Sequence, residues 1–531
     1  MSTYKISAKK ITLKDFSRIV NDFGCIIEID DKVKEGIIKS RSLLDKFVKD
    51  GRIIYGVNTG MGGFVNHLVP IEFAEQLQNN LISSVATNVG EYFDDSVARA
   101  AILARIISLS KGASAISWEN YTVLVNMFNK KIFPCIPKKG SLGASGDLGP
   151  LAFIALVGVG KWKAKFGDDI LTGEEALKLA DIKPMKLSYK EGLALINGTS
   201  AMTGLGSIVW SQADSLLKAY EFVSALSFEG LSTTIKPFDP KVHKKKLHSG
   251  QNICAKNITN ILATSKLIVD EKNTEEKIQE KNENKLQDLN SQIEDAYSLR
   301  CTPQILGPIY DSLKFVGEIL ENEINSSSDN PLILVNENDV FHNGHFHGQY
   351  ISVAMDYLSI CLTTLSNLSD RRIDRFMDKN NSNGLPAFLC QENPGLRFGL
   401  MGGQFMSTSL TAENRSLCVP LSIQSLTSTG DFQDIVSFGL IAARRAREIL
   451  DNVFYIVSFE LLCACQAVDL RDPTQLSRLT KPFYDEIRKI LPYLSVDEII
   501  TPYIEQIKNL LQDQKFINQL NASINDEVKE E

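Results

Sequence analysis

Between Gln304 and Asn325, the apolar residues Ile305, Ile309, Leu313, Val316, Leu320 and Ile324 recur at intervals of three and four. This spacing puts every one of them on a single face of an α-helix and predicts a buried stripe about five or six turns long. The same period runs through Ser96 to Leu109, Leu205 to Leu226, Gln349 to Phe376 and Phe438 to Val468, while alternating apolar and polar runs are few and short. A mainly α fold follows. Several of these segments exceed the usual helix length, so the expectation is a bundle of long helices rather than a string of small domains. A chain of 531 residues with 44% hydrophobic residues has enough apolar mass to fill such a bundle.

Charge and cysteine usage narrow the function classes. With 57 basic and 64 acidic residues the net charge is -7, which is not the basic footprint of a nucleic-acid binder. The first sixteen residues are polar with scattered lysines, so no secretory signal is read there. No apolar run of about 18 residues reads as a membrane span. The nine cysteines have no regular spacing and are read as reduced and mostly buried, which makes the cytoplasm the expected location. The Lys-, Glu-, Asn- and Gln-rich stretch from Glu271 to Gln292 is expected to be a solvated helix or mobile surface excursion.

Residues Gly140 to Pro150 read Gly-Ser-Leu-Gly-Ala-Ser-Gly-Asp-Leu-Gly-Pro. Within them, Ala144-Ser145-Gly146 can build an electrophile from its own backbone. If the chain bends tightly enough, as glycine permits, the Gly146 nitrogen attacks the Ala144 carbonyl. Loss of two waters then leaves a five-membered methylidene-imidazolone (MIO), with its exocyclic methylene supplied by Ser145. No ordinary side chain offers such a Michael-type acceptor. The glycines of Gly60-Met-Gly62-Gly63 do not complete a dinucleotide fingerprint, and Gly160-Lys161 is followed by Trp162 rather than Ser or Thr. His342, His345 and His347 are close enough in sequence to raise a metal site as an alternative.

Around the tripeptide stand Tyr55-Gly-Val-Asn-Thr-Gly-Met-Gly62, Ala194-Leu-Ile-Asn-Gly-Thr199, Tyr297-Ser-Leu-Arg300, Ser328-Asp-Asn-Pro331 and Phe432-Gln-Asp434. In this order the chain resembles the aromatic amino acid ammonia-lyases and aminomutases, from about residue 15 to about residue 510. The resemblance implies a fumarase/aspartase-like architecture in three parts. Residues 1–200 would carry the lid loop and the MIO-forming loop, 201–470 the central long-helix bundle, and 471–531 a C-terminal helical region. It implies MIO formed from Ala144, Ser145 and Gly146, with no metal or external cofactor, and a homotetramer whose active sites are shared between subunits, acting on a small molecule away from nucleic acid and membrane.

The resemblance also assigns roles. Tyr55 would be the base that takes the substrate's β-proton, which requires neighbours that lower its phenol pKa from about 10. Arg300 would clamp the substrate carboxylate with its planar fork. Asn197 would hydrogen-bond the electrophile or substrate, Tyr297 would polarise the same ring, and Phe346 would pack beside it. Gln433 would lie beside the substrate, Asn330 would support the site through hydrogen bonds, and Asp147 would help the cyclisation or anchor its loop.

Val85 stands where histidine- and tyrosine-specific members carry a histidine, Gln433 where histidine lyases carry a glutamate, and Met401 is a further apolar candidate for the pocket wall. An unsubstituted phenyl ring fits best, because a phenol buried without a partner costs roughly 1 to 3 kcal/mol. Glu294 occupies a position usually held by glutamine, Phe432 replaces an asparagine and Thr429 a glutamate, which points toward bacterial-type members. The expectation is a phenylalanine ammonia-lyase releasing trans-cinnamate and ammonia from L-phenylalanine. The alternative is a phenylalanine aminomutase that retains both and returns the amine to the β-carbon, with a tighter lid deciding the outcome. Histidine or tyrosine lyases, and an inactive helical scaffold, rank below these.

Overall fold

The structure is a computed structural model and describes residues 2–270, 272, 275, 276 and 293–530, without the side chains of 525–530. The polar stretch from Glu271 to Gln292 lies almost wholly outside the described residues. Helix accounts for 59% of the structure. The four longest helices are Ser200–Leu231, Thr302–Ile324, Gln349–Met377 and Gly439–Asp469. Among the described residues, strands are two to four residues long and pair into four small sheets.

The stripe expected on Thr302–Ile324 is present. Ile309, Leu313, Val316, Leu320 and Ile324 are all buried. Pro308 sits inside that helix, where it cannot donate to the preceding turn. The Pro308 carbonyl accepts the Ser312 hydroxyl at 2.5 Å.

Among the described residues, Gln349–Met377 is long and apolar enough to cross a membrane by length and composition, although polar residues interrupt its apolar run. Of its most apolar window, 72% is buried inside the chain. All nine cysteines are free, and seven are buried.

Contacts group the chain into two compact units, each assembled from three separate stretches. The first comprises Met1–Ser211, Val316–Asp356 and Pro420–Arg445. Its centre is built on Asp95–Leu109, buried almost throughout, and on Leu148–Gly158, which is apolar on every side. A helix without a polar face has to be enclosed. Asp94 opens Asp95–Leu109 by accepting the Val97 N–H. The strands Leu332–Leu334 and Asp339–Phe341 form an antiparallel pair with Leu332 opposite Phe341. They hold the ends of the segments that carry Asn330 and Phe346.

The second unit comprises Gln212–Phe315, Tyr357–Val419 and Ala446–Glu531. A fully buried ion pair, Arg372 to Glu460 at 3.1 Å, lies among its long helices. Arg372 also donates to Ser224 and Thr302, while Glu460 accepts from Ser227 and Ser369. With these partners the two charges are satisfied inside the protein, as buried ions must be.

Candidate active site

The tripeptide lies between the short strand Pro137–Lys139 and the helix Leu148–Gly158. Gly143 and Ala144 both bridge to Gly146, so the chain doubles back within four residues. Gly146 has φ +71°, and a Cβ there would overlap the Gly198 carbonyl oxygen. Gly143, at φ +77°, leaves only 2.5 Å between an added Cβ and Ser437 Oγ. Backbone from two other segments therefore presses on a turn that only glycine completes. Such a turn brings the Ala144 carbonyl and the Gly146 nitrogen together, which is the geometry the MIO ring needs.

Asp147 anchors this loop. It is completely buried, accepts the Met202 N–H at 2.7 Å and the Ser141 hydroxyl at 3.4 Å, and its own N–H donates to Gly198 at 2.7 Å. A carboxylate is favoured where the first turn of Ser200–Leu231 presents unpaired N–H groups. Burial nonetheless pushes its pKa up to about 7, with the backbone hydrogen bonds at Met202 and Ala201 opposing the rise.

Asn197 ends the short helix Glu191–Ile196 and is buried. Its side-chain oxygen has no hydrogen-bond partner among the described residues. A buried amide oxygen left open this way is a ready acceptor. Beneath it lie charged groups that the sequence analysis missed. Lys190, in the left-handed conformation at φ 73°, opens the same helix and pairs with Asp329 at 2.5 Å, both side chains being fully buried. Arg105 donates to the Ala194 carbonyl, and a Cβ on Gly198 would crowd both its Nη1 and Ser328 Oγ. Burial pulls the Arg105 pKa down to about 10 and lowers that of Lys190, with Asp329 opposing both shifts. Arg105 carries a usable signal, since it and Arg99 are the two arginines set in an otherwise apolar helical run; Lys190 carries none.

Gln433 donates its amide Nε2 to Ser145 Oγ at 3.0 Å. Tyr55 is half-buried, and its hydroxyl accepts the Gly62 N–H at 3.1 Å. Its own N–H donates to His342 Nε2 at 3.2 Å. Burial raises the Tyr55 pKa, and the Gly62 hydrogen bond only partly offsets this. The lowering of this phenol expected from the sequence is thus not supplied by the described residues around it. Buried Gln78, also missed, spans from the Gly56 carbonyl (3.0 Å) to the Leu193 N–H (3.0 Å), tying the start of the glycine-rich loop to the helix before Asn197.

Asn330 Oδ1 accepts the Asn343 N–H at 2.7 Å, which fixes the stretch on which Phe346 lies half-buried. Val85 ends the helix Ala74–Ser84, and its carbonyl is 3.4 Å from where a Gly149 Cβ would stand. The three histidines do not converge. Among the described residues no group of three or more His, Cys, Asp or Glu side chains could hold a metal.

The remaining candidates fall in the second unit. Arg300 pairs with Glu294 at 2.7 Å, and its guanidinium carbon lies 5.0 Å from the centre of the Tyr297 ring. Tyr297 itself is 70% exposed. Met401 begins the helix Met401–Leu417 and is half-buried. The first unit therefore gathers the tripeptide, Asn197, Gln433, Tyr55 and the glycine-rich loop after it, while the second gathers Glu294, Tyr297 and Arg300.

A family model described as aromatic amino acid lyase matches residues 11–489. The chain belongs to the aromatic amino acid lyase family. Members of this family depend on MIO, and Ala144-Ser145-Gly146 is the segment of this lyase-family chain that fits it. The histidine ammonia-lyase of Natranaerobius thermophilus is 39% identical over 98% of this chain and 99% of its own. Among solved structures, Pantoea agglomerans phenylalanine aminomutase is 55% identical, covers 97% of this chain and 100% of its own, and has a TM-score of 0.94. Tyrosine aminomutase from Streptomyces globisporus is 35% identical, with 98% of each chain covered and a TM-score of 0.94.

These matches correct the expectation of a phenylalanine ammonia-lyase. The curated relatives at 36 to 39% identity are named histidine ammonia-lyases, and the solved structure at 55% is an aminomutase. The misreading has a physical cause. A lyase and a mutase perform the same elimination with the same residues and differ in how long the site holds the product.

Proposed function

We infer that this protein is a phenylalanine aminomutase, which moves the amino group of phenylalanine from the α- to the β-carbon by elimination and re-addition of ammonia. The observation that carries this is the 55% identity, over 97% of the chain, to an enzyme named for that activity. The histidine-lyase reading is favoured by the names of the curated relatives. Against it, Val85 offers an imidazole no hydrogen bond, and the amide of Gln433 brings no carboxylate.

When formed, the MIO group supplies the electrophile that makes the amine a leaving group or acidifies the β-proton. Tyr55 takes that proton and, once the amine has moved, returns it to the α-carbon. Arg300 holds the substrate carboxylate, which takes the place of Glu294, with the Tyr297 ring setting the orientation of the guanidinium. The open amide oxygen of Asn197 accepts from the amine or the electrophile, Asn330 fixes the loop of Phe346, and Val85, Phe346 and Met401 present apolar surface to the phenyl ring.

Exposed apolar side chains support a homotetramer with shared sites. Phe64, Leu68, Phe432 and Ile435 flank the lid and Gln433, and Tyr350, Val353, Tyr357 and Ile360 recur at three and four residues along one helix. Contiguous apolar surface of this kind is covered in a working assembly. The cytoplasm is the proposed location.

The deciding experiment incubates the purified protein with L-phenylalanine, L-tyrosine and L-histidine and quantifies β-amino acid, arylacrylate and ammonia together, with Ser145→Ala as control. β-Phenylalanine from L-phenylalanine, absent in the control, is the expected result. Turnover of histidine alone would overturn the reading.

A further inference from the structure

Thr429 stands between the lid and the electrophile-forming loop and belongs to neither. It sits in a closed loop in which Ser428 and Gln433 pair in both directions, Ser428 N–H to Gln433 O at 2.9 Å and Gln433 N–H to Ser428 O at 3.3 Å. Its side chain faces two ways. The hydroxyl donates to Gln433 Oε1 at 2.6 Å, and Gln433 Nε2 lies 3.0 Å from Ser145 Oγ, the hydroxyl that leaves as water when the ring forms, so the amide borders the carbon that becomes the methylene. The methyl lies against the lid, with Cγ2 3.1 Å from where a Cβ on Gly62 would be. The Thr429 carbonyl is 3.3 Å from the equivalent point on Gly63. Gly62 is also the residue whose N–H reaches the Tyr55 hydroxyl.

The backbone marks the position as unusual. Thr429 has φ +60°, a conformation that β-branched residues rarely adopt, and Gly430 and Asp431 follow at +59° and +63°. A glycine would sit at Thr429 with less strain but would provide neither the hydroxyl nor the methyl. Because an amide presents a donor on one side and an acceptor on the other, fixing the Gln433 oxygen also fixes which atom faces Ser145. Because the lid glycines have no side chains, the Thr429 methyl is the surface on which they seat.

We propose that Thr429 is a positioning residue that couples lid closure to the orientation of Gln433 beside the methylene carbon that Ser145 contributes to the mature ring, and so sets how often the site retains the eliminated product long enough to re-add ammonia. This rests on the aminomutase reading and deepens it. The chemistry and the lid then share one hinge point: an open lid releases Thr429 and loosens Gln433, whereas a seated lid holds both.

Two substitutions separate the two halves of the side chain. Thr429→Val keeps the methyl and removes the donor; Thr429→Ser keeps the donor and removes the methyl. Each purified variant is assayed for the ratio of β-phenylalanine to free cinnamate, for kcat/KM of phenylalanine consumption, and for amide hydrogen exchange across residues 60–68. T429V is expected to lower kcat/KM about three- to tenfold, the worth of one hydrogen bond, with exchange at 60–68 as in the parent. T429S is expected to speed exchange at 60–68 and to shift the product ratio several-fold toward cinnamate. Parental ratios and parental exchange in both variants overturn the proposal, as do equal effects of the two changes. If the parent itself makes no β-phenylalanine, the aminomutase reading fails separately. The exchange measurement then still decides Thr429, for it or against it according to whether T429S alone loosens the lid.

Discussion

The hydroxyl of Tyr55 accepts the Gly62 N–H at 3.1 Å, so the proposed base is held by a glycine of its own loop. That bond favours the phenolate, but burial outweighs it and the pKa is raised. With a pKa above 10, fewer than about one phenol in a hundred is ionised at pH 8. Activity that needs the phenolate is therefore expected to climb as pH rises. A kcat/KM profile between pH 7 and 10 is predicted to rise toward the alkaline end, and Tyr55→Phe to lose about 10²- to 10⁴-fold with its fold intact by circular dichroism. A profile flat from pH 7 upward would show that the working site lowers this pKa by other means.

Glu294 occupies the guanidinium that is proposed to bind the substrate carboxylate. The pair is 2.7 Å long, with 64% of the Glu294 side chain exposed, so it is a partly solvated contact that a substrate carboxylate can displace. Glu294→Gln removes the competing charge and leaves a neutral side chain of the same shape. The KM for phenylalanine is predicted to fall several-fold with kcat little changed. A rise in KM would mean instead that Glu294 holds Arg300 in its binding orientation.

Lys190, Arg105 and Asp329 form a buried group of two cations and one anion. Their removal is therefore not symmetric. Lys190→Met leaves Arg105 and Asp329 to balance each other. Asp329→Asn leaves two buried cations facing a neutral amide, the situation for which breaking a buried pair costs about 3 to 5 kcal/mol. Urea denaturation is predicted to show D329N well below K190M in stability. Equal losses would mean that the hydrogen bond from the Asn330 N–H to Asp329 at 2.7 Å, rather than the charge balance, is what matters.

Long-range period was the part of the fold most legible in the sequence. The stripes read over 304–325, 349–376 and 438–468 correspond to Thr302–Ile324, Gln349–Met377 and Gly439–Asp469. The segment read as Leu205 to Leu226 is longer, Ser200–Leu231, because its ends bury polar residues that imitate a surface. Glu229 is one of these: it is fully buried and accepts the Ser477 N–H at 2.7 Å. Local composition cannot announce a partner 248 residues away. The same limit applies at the site. The tripeptide is legible because its chemistry is local, but the Gly198 backbone that makes Gly146 indispensable comes from a distant stretch. Lys190 looks like any surface lysine until Asp329 is placed against it.

The pKa of about 7 at Asp147 makes the anchor of the electrophile loop a source of pH-dependent stability. In the unfolded chain this carboxyl titrates near 3.8, so between about pH 4 and pH 7 the folded protein holds a proton that the unfolded one has lost. Stability contributed by that proton is complete below pH 4 and disappears as pH rises through 7. Glu221 and Glu229, pushed by burial to about 8 and about 7, act in the same direction. Their effects add in one direction, a tenfold change in proton affinity being worth about 1.4 kcal/mol. The urea midpoint is therefore predicted to fall between pH 5 and pH 8. Asp147→Asn, neutral at every pH and still able to accept one backbone N–H, is predicted to flatten part of that slope. Because the variant retains a single acceptor where the carboxylate had two, it is also expected to slow maturation of the tripeptide, followed by the near-ultraviolet absorbance of the new ring. A slope identical in parent and variant would mean that Asp147 stays ionised in the fold, held by the N–H groups of Ala201 and Met202 against the cost of burial.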